Sequence, residues 1–107
     1  MPPDAAPVER SAAHRLTVAG QLDPQAARAV KRRLARLAEG GANVVTVDLG
    51  AVYVIDSVAV GALLDADARL RTAGARLEIV LPRGSARLVL ETLGGGGRLT
   101  FTGQGDP

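Results

Sequence analysis

Val44-Val45-Thr46-Val47-Asp48-Leu49 is the stretch on which the reading of the fold turns. It is β-branched and almost continuously apolar, as in a strand covered on both faces, and it is predicted to be the central strand of a sheet. A helix is predicted before it. Asp23 can accept from the orphan amides of a helix start, and the fixed φ of Pro24 suits the first helical position. From there to about Glu39, the residues Ala27, Val30, Leu34 and Leu37 recur at helical spacing as one apolar stripe, while Arg28, Lys31, Arg32, Arg33 and Arg36 fill the other side. Gly40-Gly41 ends this helix.

Further out on the N-terminal side, Arg15-Leu16-Thr17-Val18-Ala19 alternates with the period of a half-buried strand and closes at Gly20. A short edge strand fits at Pro7 to Ser11, and residues 1–7 form a loose, proline-rich tail. On the C-terminal side, Asp56 or Ser57 caps a second helix running from about Val58 to Thr72, which buries Val60, Leu63, Leu64 and Leu70 and stops at Gly74. Arg76 to Leu81 reads as a strand, and Pro82 to Gly84 as a turn. Ser85 to Leu93 reads as a shorter helix with Leu88, Val89 and Leu93 inward. The glycines Gly94 to Gly97 read as a flexible connector to a last strand at Leu99 to Thr102. The predicted order ββαβαβαβ implies an α/β fold with right-handed crossovers and a mixed, mainly parallel sheet packed against helices, its first strand antiparallel at an edge. One domain is expected over residues 8–102, followed by a short tail at 103–107.

Composition bounds the chemistry. A chain of 107 residues is about one domain. Hydrophobic residues make up 47% of it, yet Tyr53 and Phe101 are the only Phe, Tyr or Trp, so the core is built from Val, Leu, Ile and Ala. The absence of cysteine removes disulfides, thiolate metal sites and a cysteine nucleophile, and makes the cytoplasm the default compartment. No signal peptide or membrane span is legible. The net charge of +2 says little about nucleic acid.

In a parallel sheet the loops leaving the carboxyl ends of the strands emerge on one edge, where such folds place their sites. Asp23, Asp56 and Ser57 are expected on that edge, with Ser57 at a helix start that favours an anion. Asp and Ser at helix starts are most often simply caps, and the two readings are compatible. A catalytic triad has no support, because the sole histidine, His14, is expected at the opposite edge. Asp65 and Asp67 read as a solvated helix face and no metal or cofactor is expected. Gly94 to Gly97 follow a helix and precede a strand, the reverse of a phosphate-binding loop. Lys31 has no evident catalytic setting. The basic first helix reads as a solvated face, with an acidic partner surface as the alternative and little to suggest nucleic acid.

In order and spacing the chain resembles the STAS domains of bacterial anti-sigma factor antagonists, a family found also in sulfate transporters and some lipid-transport complexes. The likeness is carried by Thr17-Val18-Ala19-Gly20-Gln21-Leu22-Asp23, by Val45 through Ser57, by Gly61 and Gly74, and by the Leu90 to Gly94 helix ending. It implies that Ser57 is the phosphoacceptor and that Asp23, Asp56, Ser57, Val58 and Gly61 meet the partner. An anti-sigma factor with serine kinase activity would bind the unmodified domain, phosphorylate it and release it, and a phosphatase would reset the switch. Sequestering the anti-sigma factor frees sigma-factor-dependent transcription. The domain itself would be no enzyme, and would act away from membrane and nucleic acid. Val58-Ala59 stand where the family commonly has Ser or Thr and then Gly, and the chain ends at Pro107 without the usual last helix. These departures favour an alternative: a constitutive STAS subunit of a larger assembly, such as a transporter ATPase, with Ser57 an interface residue that never takes phosphate.

Overall fold

Alternating burial along the strands sets the architecture. The computed structural model describes residues 13–95 and 97–102. Four strands, β1 (His14–Leu22), β2 (Val44–Ile55), β3 (Arg76–Val80) and β4 (Thr100–Thr102), form one sheet in the order β1-β2-β3-β4, each pair parallel. Between them run α1 (Pro24–Glu39), α2 (Ser57–Thr72) and α3 (Gly84–Gly94). The mainly parallel α/β fold expected from the sequence is therefore present. The edge strand expected at Pro7 to Ser11 lies outside the described residues.

Register explains where the core sits. Leu16, Val47, Ile79 and Phe101 are paired across the four strands, and Val45 pairs with Leu77. Val45, Val47, Leu77 and Ile79 are fully or almost fully buried, and Leu16 and Phe101 pack against the same cluster. Side chains of a strand alternate between faces, so this row is one face of the sheet, and the helices cover it with residues such as Leu34, Leu63, Leu70 and Leu90. The intervening rows, Arg15-Thr46-Glu78-Thr100 and Thr17-Asp48-Val80-Thr102, form the other face. Its residues are exposed or half-buried. The expectation that β2 is covered on both faces is thus corrected: Val44, Thr46 and Asp48 are only half-buried, and the apolar run reflects β-branched residues suited to a pleated surface.

Helix α3 also departs from its sequence reading. Leu88, expected inward, is 66% exposed and Leu93 is exposed too, while Ala86, Leu90 and Gly94 face the core at i, i+4 spacing. In that stripe the large Leu90 is flanked one turn to either side by a small residue. A Cβ at Gly94 would stand 2.6 Å from Leu99 Cδ1, so the start of the glycine run is a packing contact and not a loose connector.

β2 is twice interrupted in its pairing with β1. Register shifts fall between Thr17 and Ala19 and between Gly20 and Gln21, each adding a residue on the β2 side. At the first, Asp48 Oδ1 accepts from the Gly50 amide at 2.8 Å while Oδ2 pairs with Arg15. The Gly50 amide, helped by the Arg15 guanidinium, holds the Asp48 carboxyl below the usual carboxylate range against the opposing effect of burial. A carboxyl whose folded pKa is depressed contributes stability above its unfolded pKa of about 3.9, and that contribution is lost as pH falls through the folded value. Denaturant midpoints measured from neutral pH into acid should therefore fall less steeply below about pH 4 for Asp48→Asn than for the wild type. Equal slopes would leave the carboxylate no part in holding the bulge.

Candidate functional site at the carboxyl ends of β1 and β2

Leu22 and Ile55 are register partners in a parallel pair, so the residues that follow them, Asp23 and Asp56, leave the same edge side by side. Each caps the helix it precedes. Asp23 Oδ1 accepts from the Ala26 amide at 2.8 Å, and Asp56 Oδ1 accepts from the Ala59 amide at 2.9 Å. Both caps have extended backbone, as the motif requires. One oxygen of each carboxylate is thereby spent on structure, and the other is not needed for the cap.

Ser57 is the first residue of α2 and is exposed. Because Asp56 makes the cap, the Ser57 hydroxyl is released from that task and stands at the positive end of the helix dipole. The sequence left the cap open between Asp56 and Ser57; geometry assigns it to Asp56. The expected gathering of Asp23, Asp56 and Ser57 on one edge is what the register produces. His14, at the start of β1, lies at the opposite end of the sheet.

Exposed apolar side chains flank this polar centre in the chain. Tyr53 is 62% exposed and Val58 56%, and Val54 is exposed as well. Tyr53 and Val54 follow Asp48, where pairing with β3 ends, so this half of β2 is held only by β1. Tyr53 falls at the second register shift, and such a bulge re-aims side chains beside a site. The sequence, read with the strand ending at Leu49, places both residues in the loop that leads to Asp56 and Ser57 and does not count them among the partner contacts. An exposed lone tyrosine in a chain almost without aromatics was the available signal.

Between α1 and α2 runs an open groove of about 420 Å³. Its floor is made of small residues, Ala27, Gly61 and Ala62, and its rims carry Arg28 and Lys31 on one side and Val58 and Asp65 on the other. Lys31 Nζ bridges to Asp65 Oδ2 at 3.0 Å across it. This pair gives Lys31 and Asp65 roles not legible in the sequence. Asp67, read as solvated, is instead 6% exposed and pairs with Arg71 Nε at 2.9 Å, one turn along α2. Among the described residues no group of acidic or histidine side chains gathers to hold a metal ion.

Gly61 marks where groove and helix have opposed interests. A Cβ there meets nothing within 4 Å. Replacing a mid-helix glycine with alanine reduces the backbone freedom lost on folding, so Gly61→Ala should raise stability by ~0.5–1 kcal/mol in urea denaturation. Its methyl fills part of the groove floor. A destabilised variant would show that the position is crowded.

The sequence model of the family described as "Mlab, STAS domain" matches residues 6–100 of the chain. No curated protein sequence matches it. Among solved structures, that of the anti-sigma factor antagonist SpoIIAA in its unphosphorylated form is similar, with a TM-score of 0.64 at 20% identity, over 88% of this chain and 81% of that one. The parallel sheet, the helices on one face, and the family match over almost the whole length agree: this chain belongs to the STAS domain family.

Proposed function

We propose that the chain is an anti-sigma factor antagonist: a domain over residues 8–102, with short tails, that binds an anti-sigma factor with serine kinase activity and is switched by phosphate on Ser57. The observation that carries this reading is an exposed serine at the first position of α2, freed from capping by Asp56, with exposed apolar side chains at Tyr53 and Val54 on the strand before it and at Val58 directly after it. These apolar side chains give a partner area to bury. The hydroxyl gives the switch. Phosphate adds about −1.5 to −2 charges at pH 7, which α2 tolerates at its N-terminus and which a partner surface fitted to a neutral hydroxyl beside Asp56 does not. Partner-binding residues on this reading are Asp23, Asp56, Ser57, Val58 and Gly61. A phosphatase restores the binding state. The domain is a binding module and not an enzyme, and it works in the cytoplasm on sigma-factor-dependent transcription. Among the described residues no helix is long and apolar enough to cross a membrane.

A second reading is favoured by Val58, which places an exposed apolar side chain directly after Ser57. A permanently covered interface suits such a residue, as in a constitutive STAS subunit of a transporter ATPase or similar assembly, with Ser57 hydrogen-bonded to its neighbour and never modified. Intact-mass analysis of protein purified from its native host separates the two. A phosphate-sized increment on the wild type, absent from Ser57→Ala, supports the switch. Unmodified wild type under growth and stress conditions alike supports the subunit.

A further inference from the structure

The cations of this domain are divided unequally. Arg15, Arg71, Arg76 and Arg87 each pair with a carboxylate on their own strand, helix or sheet neighbour. Arg33, Arg69, Arg83 and Arg98 form no ion pair among the described residues, and neither do Arg28, Arg32 and Arg36 on α1, but the last three stand exposed in one row at four-residue spacing, beside the Lys31 that pairs with Asp65. Like charges at that spacing repel one another. Beyond the favourable place of Arg36 in the last turn, the fold gains no ion pair from this row. A partner can, if it is acidic.

Arg28 is also a wall of the groove between α1 and α2. The groove thus combines a floor without large side chains, an apolar rim at Val58, the Lys31–Asp65 ion pair across it, and a cation without an ion pair at Arg28, with Arg32 one turn further along α1. The buried side of α1 is committed to the core through Ala27, Val30 and Leu34, so the helix has no apolar face to insert into lipid. We propose that this groove and its arginine rim form a docking site for an acidic helical segment of a protein, which sets small apolar side chains on Ala27, Gly61 and Ala62 and carboxylates against Arg28 and Arg32. The site rests on the reading of Val58 and Gly61 as partner contacts and adds the chemistry that the partner brings to them.

The test is an amide-resolved NMR titration of the full chain at low salt with a short blocked helical peptide of Glu, Ala and Leu. Shifts confined to residues of α1 and α2 that flank the groove are expected. Arg28→Glu should weaken binding by at least about tenfold, whereas Arg33→Glu, the same charge change on α1 at a position outside the groove wall, should stay within about twofold. No binding, shifts centred elsewhere, or equal losses for the two variants overturn the proposal. So does binding to phosphatidylglycerol vesicles that is lost on Arg28→Glu while the peptide does not bind, since the row would then be a membrane contact. The state of Ser57 is read separately by intact mass: peptide bound in the groove with Ser57 never modified removes the switch and keeps the groove, and phosphate on Ser57 without peptide binding does the reverse.

Discussion

Ser57→Asp should lose the partner by about a hundredfold or more, equivalent to ~3 kcal/mol, while the domain itself stays as stable as the wild type or gains slightly. The two effects separate because they act through different neighbours. Within the fold, the new carboxylate sits at the first position of α2, where negative charge is favoured by about 0.3–1 kcal/mol. Across the interface it stands beside Asp56, whose carboxylate is held in place by the Ala59 amide and cannot turn away without giving up the cap. The measurement is titration calorimetry against the partner captured from the native host, paired with a urea curve of each variant. Ser57→Ala discriminates between the proposed readings. A switch leaves its affinity near that of the wild type, because neutral contact is all that binding requires. A permanent subunit loses an interface hydrogen bond, about 1 kcal/mol, with either substitution. Unchanged affinity in Ser57→Asp would remove Ser57 from the interface under both.

Leu63→Ala should cost 2–5 kcal/mol in urea denaturation, a large part of the 5–15 kcal/mol typical of a whole domain. Leu63 is almost wholly buried, and it lies beneath the groove among Leu22, Ala27, Val30 and Ala59. Its neighbours there are mostly small, and they belong to β1 and two helices, so the hole left behind cannot close by the movement of a single side chain. No aromatic side chain is among the buried residues to swing into the space. A loss below about 1 kcal/mol would mean that α1 settles onto α2, and the groove above them would then narrow with it.

Much of the scaffold was legible in the sequence, for reasons that are local. Asp23-Pro24 predicts the start of α1, and its side chain does accept from the Ala26 amide. The alternation in Arg15 to Ala19 predicts a half-buried strand, and β1 shows that alternation throughout. The positions of Asp23, Asp56 and Ser57 follow from parallel strands that end together. What was misread depended on contacts between distant segments. Leu88 looks like a core residue by hydrophobicity, but the buried face of α3 runs through Ala86, Leu90 and Gly94, and Leu88 falls on the opposite side of the helix. Asp67 looks solvated by residue type, but α2 turns it inward, where Arg71 meets it.

The sequence by itself determined the kind of elements, their order and the edge that carries the serine, because capping, periodicity and parallel connection are short-range rules that residue types obey wherever they occur. Only tertiary structure decided that β2 runs on beyond Leu49, since Val52-Tyr53-Val54-Ile55 suit a strand in residue type but are joined to it through Gly50-Ala51 by pairing with β1. That extension exposes Tyr53 and Val54 beside Ser57. Only packing of α1 against α2 made a groove from Ala27, Gly61 and Ala62, set Lys31 opposite Asp65, and left Arg28 on the rim. A groove is a property of two surfaces at a fixed separation, and no single segment of the chain encodes it.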